Sequence, residues 1–265
     1  MTEVITIKRK IKDFNKRVNI SGDKSLSIRW VLFSSLASGV SKSKHLLMSE
    51  DILAAINAIK KLGIKVKFNK DVCKIYGMGI NGYKYKKNLT INAENSGTLG
   101  RLILGLLINT PYPVRVIGDK SLSKRDFKRI TKPLQKFGAN FKTNNGKLPM
   151  IVEGTKFPKP IKYIEKKGSA QCKSSVMFAA LNTQGITEIK AKKSRNHSEL
   201  LFKYLNLPIH IKKIKDHDLI KIKGKKKIRP FNFKIPSDIS SSAFFIVLTI
   251  LTKKSNLVIK SVNIN

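Results

Sequence analysis

Acidic residues are scarce: 16 Asp and Glu face 54 Lys and Arg in a chain of 265, for a formal net charge of +38. Taken alone, that imbalance argues for nucleic acid or an anionic membrane surface. Arginine, however, supplies only nine of the 54 cations, and the lysines are strewn along the whole chain. The densest basic run, KIKGKKKIRP at 221–230, contains no aromatic. Nucleic-acid readers favour arginine for bidentate contacts and interleave aromatics for stacking, so nucleic acid is not the expected partner. A basic polyanion-binding or RNA-binding protein stays as an alternative. Cysteine is nearly absent. Cys73 and Cys172 lie far apart with no C-x-x-C and no histidine nearby, which argues against a disulfide or zinc site and for two buried apolar thiols. The four histidines, His45, His197, His210 and His217, show no metal-ligand spacing, so surface or packing roles are expected of them and no metal site is. No apolar run reaches spanning length, and the first 20 residues hold no h-region and no Ser/Arg-rich amphipathic leader. No membrane partner is expected, and the chain reads as cytoplasmic.

What is present is a globular composition, 41% hydrophobic and 26% charged, long enough for one large domain or two smaller ones. The chain also repeats itself. Four segments open on small hydroxyl or amide residues and pass into an apolar pattern of helical period: SGDKSLSIRWVLFSSLASG from Ser21, NSGTLGRLILGLLINT from Asn95, GSAQCKSSVMFAALNTQG from Gly168 and PSDISSSAFFIVLTILTKK from Pro236. Their starts are about 70 to 75 residues apart, too long for a solenoid repeat and suited to duplicated subdomains. After each first helix a short strand, a polar loop and a second helix are expected. In the first unit these are KHLLM, SED and ILAAINAIKKLG with Gly63 at C′; in the second, PVRVIG, DKSLSKRD and FKRITKPLQKFG with Gly138; in the third, TEIKA, KKSRNH and SELLFKYLN. Two further strands follow, as in IKVKF and VCKIYG, so the unit reads βαβαββ and the fold class α/β. The fourth unit has its first helix and the strand LVIKSV before Asn265, so the repeat by itself predicts a chain cut within a unit.

The hexapeptide GDKSLS occurs twice, at 22–27 and 118–123. It is not a nucleotide P-loop, because that motif needs glycine directly before lysine and here Asp23 and Asp119 stand there. Aligned by the repeat, the first copy begins a first helix, whereas the second falls on a loop before a second helix. The two copies are therefore expected to do different work.

A helix start leaves N–H groups unpaired and carries partial positive charge, so converging helix starts flanked by cations make an oxyanion-lined cleft. Lys24, Arg29, Arg101, Arg125 and Arg195 all lie in or beside such loops. A substrate bearing phosphate and carboxylate groups fits that field. Asp238, an acid among these cations, suits a base or hydroxyl acceptor.

The stretches SGDKSLSIR, ENSGTLGRLILGLL, GDKSLSKRDFKRITKPLQKFGA, GSAQCKSSVMFAAL, SRNHSE and IPSDISSSAFF resemble, in family order, the 5-enolpyruvylshikimate-3-phosphate synthases. The resemblance implies an inside-out α/β barrel of repeated βαβαββ units in two domains. Residues 21–234 would form a complete domain of three units, and 1–20 with 235–265 part of a second, incomplete one. It implies transfer of the carboxyvinyl group of phosphoenolpyruvate to the 5-hydroxyl of shikimate 3-phosphate, without metal or organic cofactor, by a full-length monomer. By the same resemblance Lys24 would sit between both substrates, with Ser25 and Arg29 on the shikimate carboxylate. Asn95, Gly97 and Arg125 would line the phosphoenolpyruvate pocket, where the bare glycine leaves room for that substrate and for its mimic glyphosate. Ser169, Gln171 and Arg195 would grip the shikimate phosphate and ring, Ala170 standing where many relatives have a second serine. Asp238 would contact the 4- and 5-hydroxyls and is the candidate base.

Two departures from the family pattern stand out. Asp126 follows Arg125 where proline is usual, placing a negative charge beside a phosphate ligand. The family's later segments, with an acidic proton donor, its neighbouring lysine, and two arginines and a lysine of the phosphoenolpyruvate site, have no counterpart here, so negligible turnover is expected of this polypeptide alone. The sister family acting on UDP-N-acetylglucosamine is the alternative transferase. It typically has asparagine after the first-loop lysine and a reactive cysteine in the loop holding Arg125, whereas here Ser25 follows Lys24 and no cysteine lies between 74 and 171.

Overall fold

The computed structural model describes residue 6 and residues 11–265; positions 1–5 and 7–10 of the expected 1–20 segment lie outside the described residues. Strand β1 (Asn15–Val18) leads into a first unit of α1 (Lys24–Leu36), β2 (Ser38–Lys44), α2 (Glu50–Lys61), β3 (Lys65–Asn69) and β4 (Val72–Met78). The second unit is β5 (Leu89–Asn92), α3 (Gly97–Leu106), β6 (Val114–Ile117), α4 (Lys120–Ser123), α5 (Lys128–Gln135), β7 (Asn140–Asn144) and β8 (Lys147–Glu153). The third is β9 (Lys162–Glu165), α6 (Ala170–Leu181), β10 (Ile186–Lys192), α7 (His197–Tyr204), β11 (Ile209–Lys213) and β12 (His217–Lys223). The remainder is β13 (Asn232–Lys234), α8 (Ile239–Ile250) and β14 (Asn256–Ile259).

Three four-stranded sheets share one topology. In β5-β6-β8-β7 and β9-β10-β12-β11 the first two strands run parallel and the rest antiparallel. A parallel pair needs a crossover, and α3 and α6 supply it. Among the described residues the first unit has no strand of its own ahead of α1 in its sheet. That place is taken by β13, which pairs parallel with β2 to give the order β13-β2-β4-β3, and Phe231 N–H donates to Ser41 Oγ across 190 residues of chain.

The crossover helices lie inside and the sheets outside. Every residue of α1 from Leu26 to Leu36 and every residue of α6 from Cys172 to Leu181 is buried. Helices so enclosed are not amphipathic, because no side of them meets water. Phe33 of α1 packs on Phe178 of α6 (4.7 Å between ring centroids) and Phe202 of α7 (5.5 Å), joining the units at the centre. Both cysteines are free and buried, as expected, and burial pushes the Cys73 thiol up to about 12. No strand pairing links one four-stranded sheet to another among the described residues, so helix packing, not a closed hydrogen-bonded barrel, unites them.

Two expected elements are corrected. The apolar run at 44–48 is not the strand; β2 is the small, polar stretch before it, with Ser41 and Ser43 facing inward. His45 takes φ +61°, which ends the strand, and Leu46 and Leu47 pack against the core from the connection. The second GDKSLS is not a loop but the one-turn helix α4.

The last strand of each unit meets the end of that unit's first helix at a glycine. A Cβ on Gly224 would lie 1.9 Å from the Thr183 carbonyl oxygen; the equivalents are Gly77, 2.1 Å from Ser34 O, and Gly154, 2.5 Å from Thr110 N. Backbone is met in each case, so nothing can swing aside. Gly224→Ala is expected to destabilise by about 1–3 kcal/mol, read as a lowered denaturant midpoint; an unchanged midpoint would refute the packing argument.

Beyond the three sheets, β1 pairs parallel with β14, and α8 lies beside them with only Ser242 buried. Phe244 and Ile250 of α8 and its C-cap Leu251 are each at least 75% exposed. Just before α8, isolated bridges link Ser237 to Gly22, ahead of α1, and to Val262. No helix among the described residues is long and apolar enough to cross a membrane.

Candidate active site

The four repeat-equivalent helices begin alike. Asp23, Ser96, Ser169 and Asp238 are the N-caps of α1, α3, α6 and α8. Their side chains accept backbone N–H bonds from Leu26 (2.8 Å), Leu99 (3.3 Å), Cys172 (3.3 Å), and Ser240 and Ser241 (2.7 and 3.2 Å). The second helices α2, α5 and α7 have no such side-chain cap. Capping satisfies only one or two of the N–H groups at each start, and the others remain for an anion.

Asp238 also accepts the N–H of Lys24 on Oδ2 at 3.0 Å, so α8 and α1 start from one carboxylate. Around them is a cavity of about 390 Å3, lined by Lys24, Ser25, Arg195 and Asp238, with Asp23 and His197 among the others. Lys24 Nζ lies 3.6 Å from Asp51 Oδ2 with its side chain half exposed. Four expected residues thus share one cavity. Arg29 lies beneath it, 3% exposed. Its Nε donates to Ser198 Oγ (2.8 Å), one terminal nitrogen to Ser174 Oγ (3.0 Å) and the other to the Ser25 carbonyl (3.0 Å). Burial lowers its pKa to about 10 against the pull of Glu199 and Asp23, so it stays charged at neutral pH in a poorly solvated place.

A second group surrounds the start of α3. A Cβ on Gly97 would sit 2.7 Å from one terminal nitrogen of Arg101 and 2.9 Å from one of Arg125, so two guanidinium groups converge where this residue has no side chain. Arg101 donates to Gln171 Oε1 at 2.9 Å, Gln171 Nε2 donates to Thr98 Oγ1 at 2.9 Å, and Asn95 Nδ2 donates to Asp119 Oδ2 at 2.5 Å. Burial, then the neighbouring Arg125 and Arg129, outweigh Cys172 and hold Arg101 below its ordinary value. Ser169 donates its N–H to the buried Glu165 at 2.9 Å, which also takes Arg129 at 2.7 Å; Ala170 is the first residue of α6. None of this second group lines the cavity around Lys24. The two groups are joined through α6, whose Ser174 meets Arg29 and whose Ser175 donates to the Arg101 carbonyl at 2.9 Å.

Asp126 turns its carboxylate to the start of α5, accepting Lys128 N–H at 2.7 Å, rather than to Arg125. The two GDKSLS copies are also closer in kind than the repeat implied. Asp119 accepts from Leu122 N–H at 2.6 Å as Asp23 does from Leu26, so both are the same capped turn, extended into a long helix in α1 and stopped after Ser123 in α4.

His197 was not among the expected site residues. It is 3% exposed and lines the cavity, and Asn263 Nδ2 lies 3.1 Å from its Nε2 and 2.9 Å from Asp23 Oδ2. Its place two residues after Arg195 in SRNHSE is the one signal that could have marked it. A larger cavity of about 900 Å3, edged by Lys44, Lys70, Lys234 and Lys260, gathers none of the expected residues.

Comparison with known proteins places the chain and its fold in one family. Residues 8–265 match the family model described as EPSP synthase (3-phosphoshikimate 1-carboxyvinyltransferase). The 3-phosphoshikimate 1-carboxyvinyltransferase of Desulforamulus reducens is 36% identical over 259 residues, 96% of this chain and 59% of that protein. The protein of the same name from Ruthia magnifica is 40% identical over 250 residues, 94% of this chain and 56% of that one. The solved EPSP synthase of Acinetobacter baumannii superposes with a TM-score of 0.86 at 33% identity, covering 96% of this chain and 57% of that structure. The chain therefore spans rather more than half the length of these relatives. With a family model that takes in almost every residue, and a fold shared at that level, the chain belongs to the EPSP synthase family.

Proposed function

We propose that this chain carries much of an enolpyruvyl-transfer site, at which the carboxyvinyl group of phosphoenolpyruvate passes to the 5-hydroxyl of shikimate 3-phosphate, giving 5-enolpyruvylshikimate 3-phosphate and phosphate. The observation that carries the reading is the pair of cationic groups joined through α6, one around Lys24, Arg29 and Arg195, the other around Arg101 and Arg125. A reaction between two polyanions calls for two such groups side by side. In the reaction the 5-hydroxyl oxygen loses its proton and bonds to C2 of phosphoenolpyruvate while the methylene carbon takes a proton. The C2–O bond to phosphate then breaks as a methyl proton leaves.

In this reading Ser25 and Arg29 take the shikimate carboxylate, and Ser169, Ala170, Gln171 and Arg195 the phosphate and ring. Asn95, Gly97 and Arg125 take phosphoenolpyruvate, and Lys24 stands between the substrates. Asp238 receives the 4- and 5-hydroxyls and serves as base; its Oδ2, with one N–H on it, keeps a lone pair for a hydroxyl. Residues 21–234 act as one domain, and 1–20 with 235–265 belong to the other.

Titration calorimetry with shikimate 3-phosphate tests the reading. Saturable binding is expected, and Arg29→Ala is expected to weaken it by about 2–5 kcal/mol, the usual cost of truncating one partner of a buried charge pair. No binding by the parent chain, or unaltered binding by the variant, overturns it. RNA binding with a steep salt dependence in place of shikimate 3-phosphate binding would favour the polyanion-binding alternative.

A further inference from the structure

Behind the cavity, adjacent residues of α6 face adjacent residues of α7. Lys173 Nζ lies 2.5 Å from Glu199 Oε1, with side chains 0% and 4% exposed, and Ser198 Oγ donates to Ser174 Oγ at 2.7 Å. The ion pair is off the hydrogen-bond axis, and neither charged group has a hydrogen-bond partner among the described residues. Arg29 is bound to both serine hydroxyls and to the Ser25 carbonyl, and to no carboxylate among the described residues. Yet Glu199, next in the chain to Ser198, is the acid whose charge acts most strongly on Arg29.

A buried guanidinium bound to the residue beside a buried carboxylate, as Arg29 is to Ser198, would ordinarily draw that carboxylate into a pair, since the fork of an arginine matches a carboxylate better than an ammonium does. Here the carboxylate is held by Lys173, and Arg29 is steered by neutral hydroxyls that aim it without discharging it. We propose that Lys173 is a positioning residue that sequesters Glu199 and so keeps Arg29 available to an anionic ligand. The inference rests on the reading that Arg29 receives the substrate carboxylate. Lys173 itself touches no ligand: it is fully buried and lines no part of the cavity. Uncovering Glu199 should let it capture Arg29, and removing its charge as well should release Arg29 again.

The test compares shikimate 3-phosphate with an analogue carrying hydroxymethyl in place of the carboxylate, by calorimetry at neutral pH on variants whose folding is checked by circular dichroism. Lys173→Met and Lys173→Gln are expected to lose at least tenfold in affinity for the acid and less than threefold for the analogue. Adding Glu199→Gln to either should restore the acid's affinity to within threefold of the parent. A general structural role for Lys173 would weaken both ligands together and would not be repaired by Glu199→Gln. Full affinity in the lysine variants, equal loss for both ligands, or no recovery in the double variant overturns the proposal. If Arg29→Ala fails to separate acid from analogue, it is the assignment of Arg29 that fails; if it separates them and the lysine variants do not, sequestration alone fails.

Discussion

Glu199→Gln is expected to cost about 3–5 kcal/mol of folding free energy, a fall in melting temperature of roughly 6–20 °C. The substitution leaves the Lys173 ammonium wholly buried, with Arg29 close by as a second positive charge and no acid in contact. The Lys173 ammonium cannot reach water, and the cost of an uncompensated charge in such a place far exceeds the gain the pair provided. Adding Lys173→Met should return most of the loss, because two neutral side chains of similar volume replace two charges that had to be stripped of water. Lys173→Met alone should cost less than Glu199→Gln alone, because Glu199 then has Arg29 to turn to, whereas Lys173 has no second acid within ion-pair distance among the described residues. Thermal unfolding of the three variants checks this. Equal losses from the two single changes would remove the asymmetry, and a double variant no better than Glu199→Gln would remove the buried-charge explanation.

A second large effect is set by pH. Burial, then the nearby Arg29 and Arg195, lower the pKa of His197 from 6.5 to about 4, against the opposing carboxylates of Asp23 and Asp238. The ring is therefore neutral in the fold at pH 7. Between pH 6.5 and about 4 the unfolded chain binds a proton here that the folded chain does not. Stability accordingly falls as the solution is acidified through that window and levels off, for this group, below it. The full difference corresponds to about 3 kcal/mol, since each tenfold change in proton affinity is worth about 1.4 kcal/mol. His197→Gln removes the titration, so denaturant midpoints of variant and parent should converge as pH falls from 6.5 towards 4, with the parent losing more. Parallel pH profiles would mean that His197 takes up its proton in the fold as readily as in the unfolded chain, and would overturn the lowered value.

The fold was legible wherever the information was local. A cap residue followed by apolar residues of helical period marks α1, α3, α6 and α8, and Gly63 and Gly138 close α2 and α5 with the positive φ expected of them. It was misleading where burial and apolarity part company. The buried face of β2 is made of serines, so the apolar residues after it looked more like a strand than the strand itself. Among site residues, those at helix starts were legible because the anion-binding property of a helix start is itself local. What could not be read was which loop faces which. The serine hydroxyls that hold Arg29 are 145 and 169 residues away, and Asn263, which joins His197 to Asp23, is 66 residues from one and 240 from the other. Without those pairings His197 is an ordinary histidine and Lys173 one cation among 54.

The borrowed strand β13 has a consequence for the order in which the protein can be made. As the chain leaves the ribosome, the second sheet has all its strands once residue 153 has emerged and the third once residue 223 has. The first sheet, although its own helices and three of its strands are synthesised earliest, keeps the edge of β2 open until residues 232–234 arrive. Until then that edge offers unpaired N–H and C=O groups to any passing strand, and closing it requires a loop of almost two hundred residues, a slow kind of contact to form. Of the three four-stranded sheets, the one whose strands begin to be made first is thus the last to be sealed.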